Sequence, residues 1–281
     1  MKFPIVHAVL FFSFVTGGQA PAAKTVLITG ANQGIGWEYA RQYAEKGWEV
    51  IATHRRSETP ESLLELERQY PNLRSEQMDV TQIDQIDALA VKLQGVAIDH
   101  LVNNAGGTPG CEGGVLSPDM QFGTLDYDCA EGTFAVMSFG VMKVSERFYP
   151  QVRASEDRII SVVTSETGLI SAARTGHVPE GVLWLGASKA AINYLFAKLA
   201  YEKRQDGVIF LALDPGLVRD TNEEARMRAE GIEVPELQRR PGMPERTNID
   251  ISVAGMIRVA EQATQEHSGR IYSYDGRELE P

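Results

Sequence analysis

A doubly wound α/β fold with a parallel sheet is what this sequence predicts, on three observations. Short runs rich in Val and Ile alternate with helix-length amphipathic stretches from Thr25 onward. The first run opens straight into a glycine-rich turn, and the later runs close on Gly, Pro or polar residues. Strand and helix in such alternation build right-handed βαβ units, with helices on both faces of the sheet. The chain has 281 residues, 43% hydrophobic and 23% charged, which suits a single domain with a substantial core.

The elements follow in order. Lys2 precedes an apolar run, Phe3 to Val15, and then small residues, so residues 1–22 are expected to be a secretory signal peptide cut after Ala20 or Ala22. The run is short for a bilayer and holds Pro4 and His7, so no stable membrane anchor is expected. The mature domain would then span residues 24–281 and be secreted or lumenal, or cytoplasmic if the leader is not used. "TVLITG", "WEVIATH", "HLVNNAG", "RIISVVTS", "VIFLALDPG" and "RIYSYDG" read as strands. "GIGWEYARQYAEKG", "DQIDALAVKLQG", "CAEGTFAVMSFGVMKVSERFYP" and "SKAAINYLFAKLAYEKR" read as helices. The charged, proline-bearing segment from Arg219 to Asp250 interrupts this rhythm, as a lid, a binding loop or a solvated excursion. Cys111 and Cys129 can pair or remain free thiols, and both readings stay open.

A net charge of -11 argues against a phosphate-backbone partner, because counterion release needs clustered Lys and Arg. No nucleic acid is expected, and no metal site.

"VLITGANQGIGWEYA" carries the strongest motif. Gly30, Gly34 and Gly36 lie between a strand and a helix start, where glycine lets the backbone turn tightly and approach a pyrophosphate held on helix N-terminal amides. Together with "NNAG" at Asn103 to Gly106, the chain resembles the short-chain dehydrogenase/reductase family over nearly everything after Lys24. "DPGLV" and the terminal "GRIYSYDGRELEP" look most like its C-factor or sniffer-type carbonyl reductase branch.

The resemblance implies a Rossmann-type fold and a set of cofactor residues: Gly30, Asn32, Gln33, Gly34, Ile35 and Gly36 at the pyrophosphate, Asp79 and Val80 at the adenine, Asn104, Ala105 and Gly106 at the adenine ribose side, and Pro215, Gly216 and Val218 beside the nicotinamide. An acidic residue closing the second strand would bind a ribose 2'-hydroxyl, whereas basic residues attract a 2'-phosphate. Here the strand closes on Thr53, His54, Arg55 and Arg56, which favours NADP over NAD, with Arg55 as the expected contact. The alternative for both arginines is exposed charge without a ligand.

The family's catalytic set is a Tyr proton donor, a Lys four residues on that holds the nicotinamide ribose and lowers the Tyr pKa, a Ser that holds the carbonyl, and an Asn in the proton relay. By resemblance Ser165 is the serine, with Thr164 the alternative hydroxyl, and Lys189 in "GASKAAIN" is the lysine. The tyrosine position is Leu185 and the asparagine position is Met137. Tyr194 and Lys198 repeat the Tyr-to-Lys spacing, but at about 100° per residue they lie ~140° and ~180° around the helix from Lys189 and face away from a cleft that Lys189 faces. Ser165 to Leu185 is 20 positions, so "SAARTGHVPEGVLW" should form a loop over the cleft, from which His177 or Glu166 is the candidate substitute acid. Three readings follow: an atypical NADP-dependent oxidoreductase on a carbonyl or alcohol of a small molecule, a cofactor-binding protein without hydride chemistry, or a non-redox enzyme in the same pocket. The resemblance also implies a homo-oligomer.

Overall fold

The computed structural model describes residues 23–112, 117–219 and 245–281. The expected leader lies outside these residues, as does most of the Arg219 to Asp250 segment. The chain runs β1 (Thr25–Ile28), α1 (Gly34–Glu45), β2 (Glu49–His54), α2 (Glu61–Gln69), β3 (Leu73–Gln77), α3 (Ile83–Lys92), β4 (His100–Asn103), α4 (Tyr127–Phe134), α5 (Val141–Arg153), β5 (Ile159–Val163), α6 (Ile170–Thr175), α7 (Leu183–Glu202), β6 (Ile209–Asp214), β7 (Val218–Arg219), β8 (Thr247–Asn248), a helix at Ile249–Glu261, β9 (Ile271–Ser273) and β10 (Glu278–Leu279). One sheet has the order β10-β9-β6-β5-β4-β1-β2-β3, parallel except for β10. β7 and β8 form a separate parallel ladder.

The order reverses between β1 and β4, the switch point at which ligands bind beyond the carboxyl ends of such strands. Side-chain alternation divides the core into two layers. Leu27, Ile51, Leu101, Ile160 and Phe210 face Phe148 and Phe196, while Val26, Ile28, Val50 and Leu213 face Tyr39, Tyr43 and Met256. All six predicted strands form, and the four predicted helices form with shifted ends.

The differences have local causes. β3, "LRSEQ", has little apolar signal because it is an edge strand paired only with β2. α2 buries only Leu63 and Leu66. The helix Ile249–Glu261 does carry apolar residues at helical spacing, but it adjoins the charged segment that dominated the reading there. The predicted helix over 129–150 is α4 and α5 joined by a π-helical turn, Ala135–Gly140, and it continues past Pro150 to Arg153. The expected loop before Leu185 is in its first part the helix α6, ended by Gly176 in the left-handed region.

Candidate cofactor and active-site cleft

The glycine turn is assembled by backbone constraint. Gly30 (φ +65°) lies against Ala105, and a Cβ there would stand 2.8 Å from the Ala105 Cα. A Cβ on Gly36 would collide with Asn104 Nδ2 and the Gly30 carbonyl. Gly36 therefore works beneath the turn rather than as the ligand contact expected of it. Gly34 (φ +57°) faces open space, the cradle that a bulky anion would need. α1 starts directly after it, with Gln33 as N-cap making no side-chain capping bond, so its first amides are not taken by a side chain.

Asn104 ties this turn to β4. Its Nδ2 donates to the carbonyls of Thr29 (2.9 Å) and Gly30 (3.0 Å), while Thr29 Oγ1 accepts from the amides of Asn104 and Ala105. The side-chain amide of Asn104 thus shapes the cleft. Asp79 Oδ1 accepts from the amide and hydroxyl of Thr81, leaving Oδ2 without a protein partner among the described residues.

A cleft of about 860 Å³ opens at this switch point. Of the residues expected to bind the cofactor, Gly30, Asn32, Gln33, Gly34, Ile35, Arg55, Asp79, Val80, Asn104, Ala105 and Gly106 line it. Arg56, Thr108, Pro109 and Gly132 line it as well. The guanidinium groups of Arg55 and Arg56 are exposed and make no hydrogen bond or ion pair among the described residues. Loop 107–112 closes one rim. A disulfide, Cys111 to Cys129, staples it to α4 with Cα atoms 4.6 Å apart, which settles the pairing that the sequence left open.

The predicted catalytic residues lie along the sheet from this cleft, at the ends of β5 and β6. Lys189 is 8% exposed, and its Nζ donates to the Val163 carbonyl at 2.7 Å. Burial lowers its pKa to about 8, opposed by the charge of Asp214. Ser165 is half-buried, and its Oγ accepts from the Thr167 amide at 3.2 Å, capping the short turn Glu166–Gly168. Thr164 donates its hydroxyl to Asn193 Oδ1 at 2.6 Å in the core, so it is committed elsewhere. Pro215 is buried and accepts from Ser252, Gly216 adopts φ +68°, and Val218 pairs in β7 with Thr247. These three and Lys189 stand outside the 860 Å³ cleft.

Leu185 is half-buried and packs on the core around α5 and α7. Met137 is 5% exposed, and its sulfur accepts from Ser188 Oγ at 3.7 Å. Tyr194 is 69% exposed, and Lys198 pairs with Glu202 on the outer face, so that pair is away from the site as the helix geometry requires. His177 lies 3.3 Å from Glu166, whose other oxygen is 3.7 Å from Arg277.

One residue escaped the sequence reading. Asp214 closes β6, is 3% exposed, and accepts from the amides of Glu166 and Gly216, each at 3.2 Å. Burial, reinforced by the charge of Glu166, raises its carboxyl to about 7. Its position immediately before Pro215 and Gly216 was the available signal.

A doubly wound sheet with a glycine turn, uncapped helix amides and a cleft at the switch point defines a dinucleotide-binding protein. A model of the short chain dehydrogenase family matches residues 24–231, and the chain belongs to that family of NAD(P)-dependent oxidoreductases. It is 25% identical over 260 residues to an uncharacterized oxidoreductase of Schizosaccharomyces pombe, covering 90% of this chain and 96% of that one. The structure is similar to an NADPH-bound carbonyl reductase from chicken fatty liver, at TM-score 0.76 and 23% identity, covering 92% of this chain and 99% of that one. It is also similar to a short-chain dehydrogenase/reductase from Burkholderia multivorans with bound NADP, at TM-score 0.72 and 26% identity, covering 92% of this chain and 100% of that one.

Proposed function

We propose that this chain is an NADP-dependent oxidoreductase that reduces a small-molecule carbonyl or oxidises the matching alcohol, working without the family's tyrosine. The observation that carries this reading is the pair of guanidinium groups, Arg55 and Arg56, which line the cleft at the switch point and make no hydrogen bond or ion pair among the described residues. The NADP bound to the Burkholderia relative and the NADPH of the chicken enzyme support the same cofactor.

The residues fit that group. Gly34 leaves room for a pyrophosphate over the α1 amides, Arg55 and Arg56 suit a 2'-phosphate, and Asp79 Oδ2 suits an adenine amino group. When bound, the reduced cofactor supplies a hydride to the carbonyl carbon. The protein must orient the oxygen and provide a proton. Ser165 is the hydroxyl that can turn from the Thr167 amide to a carbonyl oxygen, and Lys189 presents an ammonium at the same strand ends. Of the two candidate substitute acids, His177 is 43% exposed in its side chain and paired with the other, Glu166, which suits exchange with solvent better than direct donation.

A second reading is supported by Leu185 and Met137. Both expected proton-transfer positions are apolar and packed, as suits a protein that binds the cofactor without using it. Titration with NADPH and NADH, followed by NADPH oxidation over a panel of aldehydes and ketones, separates the two. The reductase reading expects NADPH to bind more tightly, Arg55→Ala with Arg56→Ala to abolish that preference, and at least one carbonyl to be turned over. Binding without oxidation of any carbonyl favours the second reading.

We further propose a secreted or lumenal location, on the leader pattern together with the Cys111 to Cys129 disulfide, since disulfides persist in oxidising compartments. A homo-oligomer is proposed from the exposed Phe139 and Tyr194, and sedimentation of the mature domain tests it.

A further inference from the structure

We infer, building on the reductase reading above, that Lys189 itself donates the proton to the substrate oxygen in this chain, and that the buried carboxylate of Asp214 sets its charge for that task. Leu185, four residues before Lys189, offers no proton of its own.

The geometry supplies the donor in the right place. Lys189 Nζ bonds to the carbonyl of Val163, two residues before Ser165, at the carboxyl end of the strand. The ammonium has two further N–H groups for a ligand. Its helix is held close, because a Cβ on Gly168 would stand 2.6 Å from the Lys189 Cβ. Asp214 ends the adjacent strand, β6, held by two backbone amides and closed to solvent.

Charge then tunes the pair. Asp214 is the charge that acts on Lys189. The elements packed on α7 also carry Glu166, on the turn after β5, and Asp128 and Glu131, on α4. Asp214 in turn feels Glu166 from the turn after β5 and Arg277 from beyond β9, which oppose one another. Burial brings the lysine down to about 8 and the aspartate up to about 7, so both exchange protons near neutrality, where general acids work best. Glu166 and His177 continue the series of ionisable groups to the surface.

The step balances. The carbonyl carbon gains a hydride from the reduced nicotinamide, the C=O π pair moves to oxygen, and the new O–H bond forms as a Lys189 N–H bond breaks. The neutral amine regains its proton from solvent.

The test begins on the cofactor-free protein, with lysine labelled at Cε by carbon-13 and followed by NMR against pH. Lys189 should titrate well below the surface lysines, and lower again in Asp214→Asn. If that variant does not fold, Glu166→Gln serves instead. It removes the charge that keeps Asp214 protonated, so Lys189 should titrate higher. With NADPH and a carbonyl, kcat should fall as pH rises through the same titration, and the break should move with it in the variant. Lys189→Arg should keep NADPH binding yet lose at least ~10²-fold in kcat, because a guanidinium does not release its proton. A Lys189 that titrates with the surface lysines, a break that does not move, or full turnover in Lys189→Arg overturns the inference while leaving the reductase reading intact. A wild type that binds NADPH and reduces nothing at any pH overturns both.

Discussion

Leu185 is the residue on which the chemistry turns. Leu185→Tyr would put a phenol one turn before Lys189, and general acid catalysis is typically worth ~10²–10⁴-fold. Because Lys189 already donates, the account expects kcat to rise by less than ~10²-fold, measured as NADPH oxidation on the best carbonyl. A larger rise would mean that the wild type lacks an acid. His100 makes a separate prediction about stability. Its ring joins Tyr43 (2.6 Å) to Ser161 (2.7 Å) across α1, β4 and β5, wholly buried, and burial lowers its pKa to about 3. The unfolded chain takes up a proton below about 6.5 and the folded chain does not, so stability falls as pH drops from 6.5 toward 3. The slope is about 1.4 kcal/mol per pH unit for this one proton. In His100→Gln that component of the acid slope should vanish from thermal unfolding curves. That Ser165 and Lys189 come together at the end of β5 was legible from the motifs that carry the family resemblance. Asp214 was not, because its unusual carboxyl comes from burial that only the folded β5 and β6 create.

At the scale of elements, the cleft is held by close backbone approaches and one staple. Gly36→Ala forces a methyl into Asn104 and the Gly30 carbonyl, so it should destabilise by about 1–3 kcal/mol and weaken NADPH binding together, seen in the melting temperature and the fluorescence titration. Gly34→Ala meets no neighbour, and its cost is confined to its positive φ and to the ligand. Loop 107–112 depends on α4 in the same way. A Cβ on Gly132 would collide with the Pro109 carbonyl, and the disulfide closes a loop of 18 residues. Cys129→Ser should therefore cost about 3 kcal/mol on the chain-entropy account and lower NADPH affinity, because this loop lines the cleft. The glycine turn could be read in advance since glycine is demanded there by backbone geometry. β3 and α2 could not, since an edge strand and a shallow helix bury too little to leave an apolar period.

At the scale of the whole molecule, the parallel sheet brings together two ends that the sequence holds far apart. β1 and β4 supply the nucleotide cleft, while β5, β6 and α7 supply Ser165, Asp214 and Lys189. The nucleotide cleft and the residues proposed for proton transfer thus stand at neighbouring strand ends of one sheet. Both ends share the same two core layers, so the sheet holds them in a fixed relation. The alternation of strands and helices made the architecture legible, whereas the closeness of Asp214 and Lys189 to the same strand ends needed the fold to be seen.

The most direct measurement is a single-turnover experiment on the mature domain loaded with NADPH. Binding is read as a rise in cofactor fluorescence, and a carbonyl panel is then mixed in. The account predicts that the signal forms, that it decays with at least one aldehyde or ketone, and that the decay slows as pH rises through the Lys189 titration. A signal that forms and persists with every carbonyl would contradict the reductase, and a signal that never forms would contradict the cofactor site itself.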